Sequence, residues 1–126
     1  MVNNEAQAAT VFVLSSNLVR TASLNGSWVD IGEYEGDILL VMPVGTVSGT
    51  SPTLAVKLED ADDSSGTNSA DLAGAAFSTQ TTGPLVKQLA FSANSSRRWV
   101  RVVSTLGGTT PSFTYGVYGI ARKKIV

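Results

Sequence analysis

The chain has 126 residues and a mass of 13.1 kDa, enough for one domain that buries roughly two thirds of its extended surface. Hydrophobic residues make up 43% and charged residues 15%, well under the roughly 25% of ordinary soluble domains, which argues against a disordered chain. Without His or Cys, disulfides, thiolate nucleophiles, Ser-His-Asp triads and His/Cys zinc sites are closed to it, and a net charge of −1 gives no general pull toward nucleic acid or anionic membrane.

Residues 1–10 read as a flexible N-terminal arm, with a single domain expected over 11–126. The opening Met1-Val2-Asn3-Asn4-Glu5 carries an acid where a secretion signal wants Lys or Arg, so no signal peptide is expected. No apolar run approaches the roughly 18 residues of a membrane-crossing helix. Beyond the arm, β-branched and aromatic residues come in short runs between Gly, Ser, Asn, Asp and Pro clusters, the pattern of an all-β chain. Strands are predicted at 11–14, 28–31, 36–44, 53–60, 75–79, 85–92, 97–104 and 112–122, with a short piece at 18–22. About eight strands in this pattern suit an antiparallel β-sandwich.

Leu54, Val56 and Leu58 alternate with Lys57 and Glu59, and Phe113, Tyr115 and Val117 alternate in the same way, as strands do when one face is wet. By contrast Ile38-Leu39-Leu40-Val41-Met42 is apolar on both faces. A sandwich covers one of those faces; a partner subunit or a crossing segment is needed for the other. The segments Val47-Ser48-Gly49-Thr50-Ser51-Pro52-Thr53-Leu54 and Leu106-Gly107-Gly108-Thr109-Thr110-Pro111-Ser112-Phe113 match in order and spacing. They read either as two equivalent hairpins of a pseudo-symmetric sandwich or as ordinary hairpin loops of similar composition.

Asp60, Asp62 and Ser64 fall at the first, third and fifth positions of a calcium-loop spacing, but Ser65 stands where that loop needs Gly and Asp71 where it needs Glu. A solvated hairpin tip is the expectation, with no metal and no cofactor. Asp30, Glu33, Glu35 and Asp37 crowd one turn without pairing an acid with a positioned base, so no enzymatic activity is expected. Arg97, Trp99 and Arg101 share one face of a predicted strand. Arg and Trp are frequent interface anchors, which makes these three, with Trp28 and Tyr118, the candidate contact residues; alternatively Trp99 packs under a loop with its Arg neighbours reaching outward.

Three segments, Arg20-Thr21-Ala22-Ser23-Leu24-Asn25-Gly26, Val29-Asp30-Ile31-Gly32-Glu33-Tyr34-Glu35-Gly36 and Gly49-Thr50-Ser51-Pro52-Thr53-Leu54-Ala55-Val56-Lys57-Leu58-Glu59-Asp60, resemble small structural proteins of tailed-phage head modules. Asp71-Leu72-Ala73-Gly74-Ala75-Ala76-Phe77, Arg97-Arg98-Trp99-Val100-Arg101-Val102-Val103 and Gly107-Gly108-Thr109-Thr110-Pro111-Ser112-Phe113-Thr114 extend the resemblance over roughly residues 19 to 122. It implies a capsid decoration, or cement, protein of jelly-roll type, made in the host cytoplasm and seated on the outer surface of the head. Its expected partners are the major capsid protein and further copies of itself, a trimer being favoured over a dimer by the three-fold sites of a capsid, with no nucleic acid and no membrane. The basic tail Arg122-Lys123-Lys124-Ile125-Val126 matches no feature of that family. The rival readings are a tail or head-completion protein and a carbohydrate-binding or adhesin module, in which Trp28, Tyr34, Trp99, Tyr115 and Tyr118 would stack on sugar rings.

Overall fold

The computed structural model describes residues 9–124, and over them the chain is an antiparallel β-sandwich. The strands are β1 (Ala9–Arg20), β2 (Leu24–Asn25), β3 (Val29–Asp30), β4 (Tyr34–Ala61), β5 (Ala70–Ala76), β6 (Leu85–Ser92) and β7 (Trp99–Lys123), with one 3-10 turn at Ala93–Ser95. The expected arm falls largely outside the described residues; Ala9 and Thr10 already pair with Arg122 and Ala121.

The about eight strands expected are seven here, and four of the predicted strands are halves of two long ones. Predicted strands 36–44 and 53–60 both lie in β4, and 97–104 and 112–122 both lie in β7. These two strands pair along their length, with register shifts, from Tyr34 opposite Lys123 to Ala61 opposite Trp99. Each half then gains a flanking strand. The first half of β4 and the second half of β7 lie between β6 and β1, forming one four-stranded layer. The other two halves lie between β5 and the short β2 and β3, forming the second layer.

The matching segments noted above are therefore not hairpin loops. They are the kinks at which the two long strands cross from layer to layer, and they lie against each other. Gly49 (φ +113°) and Gly108 (φ +100°) hold corresponding places, as do Ser51 (φ +49°) and Thr110 (φ +47°). A Cβ on Gly49 would stand 2.7 Å from the Thr110 carbonyl oxygen, and one on Gly108 would stand 2.5 Å from that of Ser51. Only glycine allows both the positive φ and the approach. The sequence repeat thus corresponds to a local two-fold relation between the two strands at their crossing.

Between the layers lies one core. Ile38, Leu40 and Met42 of β4 and Phe113, Tyr115 and Val117 of β7 meet Leu54, Val56, Leu58, Val100 and Val102 of the opposite layer, and none is more than 2% exposed. The Tyr115 hydroxyl donates to Ser104 Oγ at 2.5 Å, tying one layer to the other where neither oxygen reaches water. Burial holds the Tyr115 phenol above its ordinary pKa. The strand predicted at 75–79 is displaced to Ala70–Ala76, since its Ala- and Gly-rich sequence has little β signal and its position is set by pairing with β4.

Candidate contact surfaces

With the core between the layers, each layer turns its other face to solvent, and the two outer faces differ in chemistry. On the layer built from β2, β3, β5 and the adjoining halves of β4 and β7, the outward side chains include Lys57, Glu59, Asp71 and Arg101, which are charged and paired. Arg101 and Glu59 stand opposite in register; the guanidinium lies 2.8 Å from the carboxylate and 4.6 Å from the centre of the Trp28 ring. Lys57 bonds Asp71 at 2.8 Å, a contact that raises the Lys57 pKa. Trp28 also rests on Gly66 (φ +82°), where a Cβ would meet the indole nitrogen at 2.7 Å. The acidic turn is thereby docked against this face.

Within that turn the carboxylates are engaged by the chain itself. Buried Asp60 accepts from the Arg97 backbone N–H at 3.0 Å and from Arg97 Nη2 at 2.9 Å. Asp62 accepts from Asn68 and Arg97, and Asp63 from the Ser65 and Thr67 backbones and the Thr67 hydroxyl. These bonds, the Asn68 amide first for Asp62 and the Thr67 hydroxyl first for Asp63, hold both carboxyls below the ordinary Asp value. Among the described residues no group of three or more acidic side chains is placed to hold a metal.

The alternation expected of β7 holds from Trp99 to Ser104, with Val100, Val102 and Ser104 buried and Trp99 and Arg101 outward. Arg97 and Arg98 precede the strand, so the expected strand face shared by Arg97, Trp99 and Arg101 begins only at Trp99; Arg97 is held by Asp60 and Asp62. Arg98 makes a two-pronged pair with Asp30, at 2.8 and 2.7 Å, which lowers the Asp30 pKa. Its guanidinium also stands 5.7 Å from the Trp99 ring centre. Asp30, Arg97 and Arg98 border an open cleft of about 820 Å³, lined also by Glu33, Asn94 and Lys124.

The other outer face is apolar. Register places Val11, Ile120, Leu39 and Ala90 in one row across β1, β7, β4 and β6. The next row is Val13, Tyr118, Val41 and Gln88, followed by Pro43 beside Val86. Val11 is 65% exposed, Val13 51% and Val86 66%. From these rows to Thr114 and Val19 no outward position carries a charge; Glu35, Asp37 and Arg122 bound the face at its far end. This is the outward side of the doubly apolar stretch 38–42, where Leu39 and Val41 are part-exposed. Of the candidate contact residues, Trp28, Trp99, Arg97 and Arg101 therefore sit on or beside the ion-paired layer, and Tyr118 sits in the apolar one. Sequence reading singled out Tyr118 but missed its neighbours, because valines on separate strands give no joint signal.

The aromatic rings are dispersed in the same way. Tyr34 is buried and stacked on Phe12 at 4.6 Å, Tyr115 is in the core, and Trp28 lies beside Arg101. Trp99 and Tyr118 occupy opposite outer faces.

No protein family and no curated protein matches the chain in sequence. Solved structures match in fold. A chain of infectious bursal disease virus Gt strain aligns at TM-score 0.56 and 10% identity, over 91% of this chain and 32% of that one. The VP2 subviral particle of the same virus gives 0.55 and 9%, over 91% and 32%. This chain thus spans about a third of the length of those viral chains. The SPBc2 prophage-derived protein YomS aligns at TM-score 0.47 and 16% identity, over 90% of this chain and 93% of that one, a likeness too loose to carry argument. The shared property is the β-sandwich of jelly-roll type.

Proposed function

We propose that this chain is a non-enzymatic virion structural protein, a capsid decoration protein that sits on the outer surface of a phage head and bridges major capsid subunits. The observation that carries the proposal is the charge-free apolar face across β1, β7, β4 and β6. Contiguous exposed apolar patches of this size are often functional, and this one suits a surface that works by association. The resemblance of residues 19 to 122 to phage head proteins and the jelly-roll likeness to viral chains support the same reading. The dispersal of the aromatic rings favours it over a sugar-binding module, which needs its rings on one platform.

Cement acts by holding neighbours whose relative geometry exists only in the shell. Several weak contacts become tight when presented at matching spacing, with gains of about a hundredfold or more and no new contact. Trp99, half-buried on the ion-paired side, is the proposed anchor onto the shell. The test is co-sedimentation of the purified chain with expanded capsids and, separately, with free major capsid subunit. Binding to the shell alone is expected, and Trp99→Ala should weaken it by about 2 kcal/mol. Equal binding to free subunit, co-purification with tails, or binding to glycans with none to capsids overturns the reading.

A further inference from the structure

We infer that the apolar outer face is the contact between two copies of this chain, packed face to face about a two-fold axis. Three observations choose a second copy as the occupant. First, the face lacks charge between the Arg122 row and Thr114, so it can meet its own image with no like charges opposed. The charges of the other face, Arg101 with Glu59 and Lys57 with Asp71, already have partners within the chain. Second, the edges of the same layer are guarded against strand addition. β1 is broken by register shifts between Val13 and Ser15 and between Ser15 and Leu18. On β6, Lys87 occupies the side of the strand that Leu85, Leu89 and Phe91 turn to the core, an inward charge of the kind that blocks edge pairing. Association is thereby directed from the edges to the face.

Third, the area fits a weak symmetric pair. Four strands about 4.8 Å apart and some seven residues at about 3.4 Å each make a face of about 450 Å². Two such faces remove about 900 Å², between the contacts typical of crystal packing and the roughly 1,200 Å² at which stable interfaces begin. Sheets packed in this way lie about 10 Å apart with their strands within about 30°. A two-fold pair of this kind turns both ion-paired layers, with Trp99 and the cleft, outward. The pair would then offer two identical contacts to a shell, in place of the three a trimer would give. In that use it rests on the decoration reading; its evidence does not.

Sedimentation of the purified full chain from about 1 to 500 µM tests the pairing. A reversible monomer–dimer equilibrium with a Kd of about 10 to 100 µM is expected. Val13→Lys should weaken it at least tenfold while near-ultraviolet circular dichroism stays native, because Val13 is half-exposed in the monomer. Thr105→Lys, on the outward side of the other layer, should dimerise as the parent does. A chain that stays monomeric throughout, a trimer, or a dimer indifferent to Val13→Lys overturns the inference. A dimer that obeys these expectations but ignores capsids would overturn the decoration reading alone.

Discussion

The two outer faces are built on the same pair of long strands, and they solve the problem of meeting solvent in opposite ways. On the layer carrying Arg101, outward charges find partners within the chain: Arg101 at Glu59 and Lys57 at Asp71. On the layer carrying Tyr118, the outward rows are largely valine, leucine, isoleucine and proline, and Val11, Val13 and Val86 are at least half exposed. Residues on the first face contribute to the stability of one copy. Residues on the second contribute little until something covers them, since half-exposed Val13 and Val11 have buried only part of their surface. An outer face is therefore best judged by whether its own chain already satisfies it.

The largest expected effect removes the scaffold that both faces share. Gly108→Val places a side chain where φ is +100° and the Ser51 oxygen is 2.5 Å away, so loss of about 3 kcal/mol or more is expected from backbone strain and overpacking together. Urea unfolding should show Gly49→Val to be comparably damaging, given the local two-fold relation. A mild effect at either glycine would mean that the crossing is not the joint between layers.

Next comes the ion-paired face alone. Asp60→Ala leaves the half-buried Arg97 without its main acceptor and the Arg97 N–H unpaired, at a cost of about 2 to 3 kcal/mol by chemical denaturation. Val13→Lys on the other face should change the same measurement, made on dilute monomer, by less than about 0.5 kcal/mol. Similar costs at the two sites would erase the distinction between the faces.

Tyr115→Phe probes the join between layers without touching either outer face. It removes the donor to buried Ser104 and should cost about 1 to 2 kcal/mol, with capsid binding and self-association unaltered. The smallest effect is in pH. Asp30, Asp62 and Asp63 have lowered pKa values in the fold, so their contribution is present above the unfolded Asp value near 3.8 and is lost as pH falls below it. Tyr115 acts in the opposite direction: its raised pKa favours the fold up to about pH 10, and that gain is lost above it. A thermal-melt series should slope at both extremes and stay level between. Because the acidic groups are exposed, the acid slope should shrink in salt.

Much of the fold was legible because strand periodicity is local. Leu54, Val56 and Leu58, and Phe113, Tyr115 and Val117, announce their core side by alternation alone, and β6 was predicted with the bounds it has, Leu85–Ser92. The doubly apolar stretch around Leu40 announced that a second face needed attention, and the repeated Gly-Thr-Ser/Thr-Pro segments announced a symmetry. What those features meant was decided in three dimensions. Gly and Pro signal a change of direction, yet whether the chain reverses as a hairpin or kinks and continues depends on which strand lies alongside; here each kink's neighbour is the other kink. Likewise nothing near Arg101 in sequence names Glu59, and nothing near Val13 names Tyr118 or Val41. Local pattern says which side of a strand is apolar, but pairing between distant strands decides whether those sides add up to a surface.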